Sequence, residues 1–283
     1  MRRTIIDPVE AGTAPHPPAT GDRTGHSEVD RYPRTGRFLL GRLRHAMSEK
    51  EKHTVESLVE EVVTLPPATT IIARGDLCRK STMLIDGYML RTIREGGRRF
   101  VVGINVPGDF VDLHGFALRR LDHDIVSLGA TTIGTVPHGR LEEVMRTAPH
   151  LARLLWFATL LEAAIHREWI MRLERLTAAR RVAHIFAELW YRLDLVGLGR
   201  RDGLRTPLIQ ADLADMCGTT AIHMNRVLGQ LKKEGVAEFR RGTVSVPDRS
   251  RLERFADFDP TYLYGRGVLE VGDELDDVAA AWA

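Results

Sequence analysis

Side chains with strong hydrogen-bonding groups are concentrated between residues 219 and 241. They are hydroxyl, imidazole, amide and guanidinium groups, with two small or branched apolar neighbours: Thr219, Thr220, Ala221, Ile222, His223, Asn225, Arg226, Arg240 and Arg241. An arginine can donate two parallel hydrogen bonds to guanine or to a phosphate, and an apolar side chain can contact the methyl group of thymine. This is recognition chemistry, and it requires an element that presents these residues together.

The segment 208–231 has the pattern of two short helices joined at a glycine. The first begins at Ile209-Gln210, and Gly218 permits the turn that follows. Thr219 or Thr220 can cap the second helix. Each helix has one apolar face: Leu213, Ala214 and Met216 in the first, and Met224, Val227, Leu228 and Leu231 in the second. We therefore predict a helix-turn-helix whose second helix enters the major groove of double-stranded DNA.

The surroundings of this helix pair are consistent with DNA binding. Residues 237–239 and 243–246 flank Arg240-Arg241-Gly242 and predict a two-stranded wing. Residues 172–251 hold 15 Lys and Arg against 9 Asp and Glu, whereas residues 252–283 hold 2 against 8. A concentrated basic surface attracts phosphates before any base is read. The alternative is that the two helices only build a core.

Composition restricts the class of protein. The 283 residues are 43% hydrophobic, which is enough for two modest domains. No stretch approaches the roughly 20 consecutive apolar residues of a membrane span, and no secretion signal follows Met1. Cys78 and Cys217 are far apart, which favours a cytoplasmic protein with reduced thiols. No glycine-serine elbow, zinc helix, phosphate loop or dinucleotide fingerprint is found, so we predict no enzyme, cofactor or metal.

The N-terminal part is predicted to contain an arm, a helical stretch and a β domain. Residues 1–36 are rich in proline and polar residues and are interpreted as a disordered arm. A helical pattern runs from Phe38 to Val63, with Ser48 as a cap. Short β-like runs between residues 69 and 136, separated by glycine turns, then predict a sandwich or barrel within 37–148. Such a barrel can enclose a ligand or be filled by its own side chains.

A long helix over residues 149–176 is predicted to pair two copies of the chain. Apolar residues recur at spacings of four, three and four, as in a coiled-coil seam: Leu154, Ala158, Leu161 and Ile165. A single buried core helix is the alternative. A further helix, 178–195, leads into a DNA-binding domain over 177–250, and residues 251–283 form an acidic tail.

These pieces, in this order, resemble a bacterial transcription regulator of the Crp/Fnr family. The resemblance covers about residues 38–250 and rests on short motifs with the long helix between them: Arg74-Gly75-Asp76, Asp86-Gly87, Pro107-Gly108-Asp109-Phe110, Leu213-Ala214-Asp215 to Gly218, and His223-Met224-Asn225-Arg226. It implies an α+β fold with a double-stranded β-helix (jelly-roll) sensor domain, a dimerisation helix and a C-terminal winged helix-turn-helix. It also implies a homodimer on a palindromic site, with RNA polymerase as a possible partner.

The resemblance assigns roles on the second helix. Ala221, Ile222 and Arg226 stand where relatives read base edges. Relatives that recognise cyclic-AMP-dependent sites carry charged residues in place of the first two, so this chain is expected to prefer another sequence. The remaining polar residues are expected to bond phosphates or to cap the helix: Thr219, Thr220, His223 and Asn225.

The β domain departs from the cyclic-nucleotide-binding pattern of the family. The region of the expected phosphate-binding arginine reads Asp122-His123-Asp124. These carboxylates would repel a phosphate by about 1 kcal/mol or more. Arg119 and Arg120 lie slightly earlier and would substitute only if the loop were rearranged. His114 completes this candidate effector pocket, either as a metal or haem ligand or as an ordinary loop or core histidine.

Other functions stay open at this point. The β domain could be a small-molecule sensor or an enzyme-regulating module, with the basic domain binding an acidic protein partner instead of DNA. The effector small molecule is unidentified. Cys217 lies inside the helix-turn-helix, where a packed thiol or a redox switch would fit.

Overall fold

The N-terminal half of the molecule is built on an antiparallel β-sheet. A computed structural model describes residues 28–265. The sheet has the strand order β1-β5-β3-β4, with β2 also paired to β5. The strands are Glu61–Leu65 (β1), Thr70–Ile72 (β2), Lys80–Glu95 (β3), Arg98–Asn105 (β4) and Asp124–Pro137 (β5). The predicted antiparallel class of this domain is confirmed.

One of the predicted turns lies inside a continuous strand. The Asp86-Gly87 pair was expected to end a strand, but β3 continues through it with register shifts between Leu84 and Tyr88. Gly87 has φ +85, and an added Cβ would lie 2.6 Å from the carbonyl oxygen of Ala130. A bulge of this kind bends a strand without ending it.

The first helix is shorter than predicted. Helix α1 spans Glu49–Leu58 and begins with the predicted Ser48 cap, in a reciprocal capping box with Glu51. Residues 38–43 form turns, so the predicted helical start there is wrong. Val62 lies in β1, where it pairs with Gly134. Its spacing continued the helical stripe, but long-range strand pairing determines its structure.

Part of the predicted disordered arm is ordered. Glu28 bonds Arg44 at 2.6 Å and Lys52 at 2.8 Å. Tyr32 is 1% exposed, and its hydroxyl donates to Glu49 at 3.0 Å. Single side-chain contacts like these leave no periodic pattern in a sequence, so the sequence did not predict that this segment is ordered. Residues 1–27 of the predicted arm lie outside the described residues.

Three helices connect the sheet domain to the C-terminal half, after a short helix α2 at Gly115–Leu118. They are α3 (His138–Thr147), α4 (Pro149–Arg175) and α5 (Ala178–Leu195). Helix α5 is buried on nearly all sides. Its core is continuous with Val101 and Ile104 of β4, so the two halves pack together.

The C-terminal half holds helices α6 (Gln210–Met216), α7 (Ala221–Lys233) and α8 (Arg249–Ala256). A three-stranded sheet has the order β6-β8-β7, with β6 at Gly203–Arg205, β7 at Glu238–Arg240 and β8 at Thr243–Ser245.

The acidic tail begins later than predicted. Leu252, Ala256 and Leu263 are each 0% exposed. Residues 251–265 therefore belong to the folded domain, because their apolar side chains complete its core although their composition is charged. Residues 266–283 of the predicted tail lie outside the described residues.

Candidate DNA interface and sensor region

Helices α6 and α7 form the predicted helix-turn-helix. The carboxylate of Asp212 accepts from the backbone N–H of Ile209 at 2.9 Å and so fixes the start of α6. Leu213 is 0% exposed and Met216 2%. The turn passes through Gly218, which has φ +62, a conformation that glycine adopts at little cost. The Gln210 amide donates to the carbonyl of Ala221 at 2.8 Å and ties the two helices together.

Helix α7 buries one face and exposes the other. Thr220 is its cap, and its hydroxyl accepts from the N–H of His223 at 3.2 Å. Met224 and Leu231 are each 0% exposed. Solvent reaches the opposite face, where Ile222 is 73% exposed. The other residues of this face are also exposed: Ala221, His223, Asn225 and Arg226. Thr219 is half-buried in the turn. We call residues 219–223, 225 and 226 together with Arg240 and Arg241 the reading face.

The wing lies beside α7. Strands β7 and β8 pair from Glu238↔Ser245 to Arg240↔Thr243. Arg241 and Gly242 form the turn at positive φ values, and Arg240 and Arg241 are exposed. A groove of about 630 Å³ separates the wing from α7. It is lined by both polar and apolar side chains, among them Asn225 and Lys232.

An ion pair that the sequence did not reveal links the two halves of the molecule. Arg99 of β4 bonds Asp212 at 2.6 Å and Asp215 at 2.7 Å, both on α6. A second contact joins the halves where the Tyr88 hydroxyl of β3 donates to the carbonyl of Arg205 at 2.7 Å. More than one hundred residues separate Arg99 from its partners in the chain, so no local pattern could have indicated this contact.

The three residues of the candidate effector pocket lie in different surroundings. Arg119 ends α2 at φ +64, and it and Arg120 are exposed. The Arg120 guanidinium donates to the carbonyl of Gly75. His114 is half-buried, with its ring 5.6 Å from that of His123. Burial, with the nearby charge of Arg91, lowers the pKa of His114 to about 3, so its 3.5 Å approach to Glu162 is a contact of a neutral ring.

In the region expected to hold a cyclic phosphate, two carboxylates bond other groups of the chain. Asp122 bonds His123 at 2.7 Å, and Asp124 accepts from the backbone N–H of Arg74 at 2.8 Å. Behind them, the buried Arg91 forms an ion pair with Glu162 of α4. Residues 28–265 contain no group of three or more His, Cys, Asp or Glu arranged to hold a metal ion.

The predicted coiled-coil seam faces the chain's own core. Leu154 is 0% and Leu161 7% exposed, and Ala158 and Ile165 pack against neighbouring core residues. The apolar residues of the predicted seam are therefore already covered within one chain. Burial in the same chain and burial against a partner select the same apolar residues, so periodicity does not separate the two.

A different apolar stripe of α4 is exposed. Trp156 is 63%, Leu160 51% and Ile170 69% exposed. With Ala163 and Arg167 they follow spacings of four, three, four and three along the helix. This spacing is the one that lets two helices pack along a shared seam.

Both cysteines are buried and free. Burial raises the pKa of Cys217 to about 11 and also raises that of Cys78. A buried thiol with a raised pKa is a poor nucleophile, so packing is the role that this geometry favours for Cys217.

Comparisons with known proteins agree with this architecture. Residues 180–255 match the Crp-like helix-turn-helix domain family. The chain is 30% identical over 188 residues to the transcriptional activator protein FnrL of Cereibacter sphaeroides, covering 65% of this chain and 75% of that protein. It is 28% identical over 192 residues to the nitrogen fixation regulation protein FixK of Bradyrhizobium diazoefficiens, covering 66% and 78%.

A solved structure shows the same fold. The FixK2 protein of Bradyrhizobium japonicum superposes with a TM-score of 0.63 at 22% identity, over 70% of this chain and 98% of that one. The relatives named above are transcription regulators and not enzymes. Within residues 28–265, no helix has the length and apolarity needed to cross a membrane. The chain thus belongs to the Crp/Fnr family, and it is a DNA-binding transcription regulator.

Proposed function

We propose that this regulator binds a palindromic DNA site as a homodimer and reads each half-site with α7. The observation that carries the proposal is the reading face itself. Its arginines are exposed, and Arg226, Arg240 and Arg241 have no side-chain hydrogen bond or ion pair within residues 28–265. Cations that the fold leaves unpaired are available to phosphates and base edges.

Each part of the reading face has a distinct role in this proposal. Arg226 lies one turn into α7 and makes a bidentate contact to guanine. Ala221 and the largely exposed Ile222 contact thymine methyl groups at the start of the helix. Arg240 and Arg241 hold phosphates beside the groove. The polar groups of Thr219, His223 and Asn225 position the backbone, and Thr220 caps the helix.

The homodimer forms through the exposed stripe of α4. Trp156, Leu160 and Ile170, beside the half-buried Ala163, leave a large apolar surface in water unless a second copy covers it. Paired α4 helices would hold two reading faces at the fixed spacing that a palindrome requires. We therefore divide the chain into a sheet domain that ends at residue 148, a pairing helix that ends at 176, and a DNA-binding domain, here called the reading head, that ends at about 265.

The β domain of this regulator is not controlled by cyclic AMP. The site expected for the phosphate carries Asp122 and Asp124, and the interior behind it holds the Arg91–Glu162 ion pair. Titration with cyclic AMP or cyclic GMP should leave the melting temperature unchanged. A ligand specific to the folded state would add about 2.7 kcal/mol of stability at one hundred times its dissociation constant, so a clear shift would contradict this part of the proposal.

Selection from random double-stranded DNA, followed by gel shift at two salt concentrations, tests the function as a whole. The expected product is a two-fold symmetric site whose halves lie about one helical turn apart. Binding should weaken steeply as salt rises. Enrichment of no symmetric sequence would overturn the proposal. RNA polymerase is the protein partner expected at such a site.

A further inference from the structure

The groove between α7 and the wing carries unbalanced positive charge beside apolar surface. Its lining holds three cations against a single carboxylate: Lys232, Arg240, Arg241 and Glu238. Lys232 bonds Glu238 at 2.6 Å, whereas both arginines lack a side-chain partner in the part of the chain that the structure describes. Ile209, also in the lining, is 60% exposed although it is apolar. A segment that fits this groove therefore carries carboxylates and apolar side chains together.

Residues 266–283 have the composition that such a groove accepts. This segment, which lies outside the described residues, holds five carboxylates against one cation, Arg266: Glu270, Asp273, Glu274, Asp276 and Asp277. Large apolar residues stand among them: Val268, Leu269, Val271, Leu275, Val278 and Trp282. Opposite charges on two surfaces favour their encounter and suppress wrong partners. The segment thus complements the groove in charge and in apolar character, and the DNA contacts proposed above assign it no role.

The described chain ends close enough to the groove for this segment to reach it. Gly265 packs against Tyr191 of α5. Phe239, in the groove lining, stacks on Phe186 of the same helix with ring centroids 5.9 Å apart. Phe186 and Tyr191 are five residues apart, which is about 8 Å along a helix. The last four carboxylates follow Gly265 by eight to twelve residues, and an extended chain of that length covers roughly 26–40 Å.

We propose that residues 266–283 bind the groove between α7 and the wing of their own chain and compete with DNA for its arginines. DNA then has to displace the segment, so the apparent affinity for every sequence is reduced to the fraction of molecules whose groove is free. Salt screens the contacts of the segment as well as those of DNA, so the competition weakens as salt rises. Its consequence for DNA binding rests on the proposed function, whereas the contact itself does not.

Carbodiimide coupling of the full chain in the absence of DNA tests the contact. The reagent joins a carboxylate to an amine that touches it, and Lys232 supplies an amine in the groove. Peptide mapping by mass spectrometry should find Lys232 joined to a carboxylate between residues 270 and 277 of the same chain. Coupling of Lys232 to Glu238 shows that the reagent has acted. The exposed Lys50 of α1 is the control and should give no product with the segment.

Two variants of the full chain test the competition with DNA. In the first, the five carboxylates of the segment become amides: Glu270→Gln, Asp273→Asn, Glu274→Gln, Asp276→Asn and Asp277→Asn. The second has the same change in net charge, made at five exposed carboxylates of the N-terminal half: Asp30→Asn, Glu61→Gln, Glu95→Gln, Glu142→Gln and Glu143→Gln.

Gel shift over a salt series compares these variants on the selected site and on an unrelated duplex. The first variant should bind both duplexes at least about fivefold more tightly than the original protein at about 50 mM salt, and this gain should shrink as salt rises. The second variant should bind like the original protein, because its amides lie away from the groove.

Each result decides the question. Coupling of Lys232 to Glu238 without any product from the segment, or an equal product at Lys50, would overturn the contact. A product that joins two chains would place the segment on a second copy and overturn binding within one chain. No gain in the first variant, or equal gains in both, would overturn the competition. If no protein bound a specific sequence, the proposed function would fail, and the coupling experiment would still decide the contact.

Discussion

Arginine plays opposite parts in two regions of this molecule. On the reading face, Arg226, Arg240 and Arg241 are exposed and unpaired within the described chain. At the junction between the halves, Arg91 and Arg192 are each 2% exposed and bonded to carboxylates. The exposed arginines stay hydrated until a ligand arrives, whereas the buried ones balance charges that the fold has already removed from water. Loss of stability and loss of recognition should therefore separate between the two regions.

The largest effect is expected at the junction. Arg192→Ala leaves Asp109 and the 1% exposed Glu188 without their shared counter-charge. The free energy of unfolding should fall by about 3–5 kcal/mol, measured by urea denaturation. Arg226→Ala is the control and should stay within about 0.5 kcal/mol of the original protein. Equal stability of the two variants would remove the contrast between the regions.

The next effect concerns assembly of two reading faces. Leu160→Asp places a carboxylate in the proposed α4 seam, where pairing would bury it without a partner at a cost of several kcal/mol. Analytical ultracentrifugation should show a monomer at micromolar concentration. Leu118→Asp is the control, since Leu118 is 63% exposed on α2, away from the seam. A dimer that survives Leu160→Asp would place the interface elsewhere.

A smaller and more selective effect is expected from substitution of Arg226 on α7. Arg226→Ala should weaken binding to the preferred site by about 1–3 kcal/mol and relax one base position, because alanine cannot donate the paired hydrogen bonds to guanine. Repeated site selection measures both changes. Arg146→Ala, an exposed arginine on α3 with a side chain 72% accessible, should change neither. An unaltered selected site would exclude Arg226 from base reading.

The smallest effect is expected from the wing. Arg240→Ala or Arg241→Ala should weaken binding to every sequence alike, since an interaction with phosphate carries no base information. The slope of log affinity against log salt should decrease by about 0.9 for each phosphate that the variant no longer neutralises. Gel shifts over a salt series measure it. A changed base preference would instead assign the residue to readout.

Local signals in the sequence predicted the reading head well. The apolar stripe of α7, the glycine turn and the wing arginines are all encoded within a few residues of one another, and hydrogen bonding in the structure selects Thr220 over Thr219 as the cap. The Ser48 cap was predictable for the same reason. Such features depend on backbone groups nearby in the chain, and a sequence displays them directly.

Long-range contacts were not predictable in this way. The sequence of β1 predicts helix, because Val62 extends an apolar period that its pairing with Gly134 overrides. The segment around Tyr32 and the chain near Leu263 have the composition of tails, because their anchors are single buried side chains. Apolar periodicity indicates which residues favour burial, but it does not show which element packs against them.

The sequence by itself determined the order of the elements, the family resemblance and which face of α7 is exposed. Only the tertiary structure decided which side of α4 is exposed to a second copy. It also decided that Arg99 forms ion pairs with α6 and that three buried arginines, Arg42, Arg91 and Arg192, line one cavity. The reason is physical: caps, turns and helical stripes arise from neighbours in the chain, whereas these contacts join residues from separate elements whose meeting depends on the packing of the whole molecule.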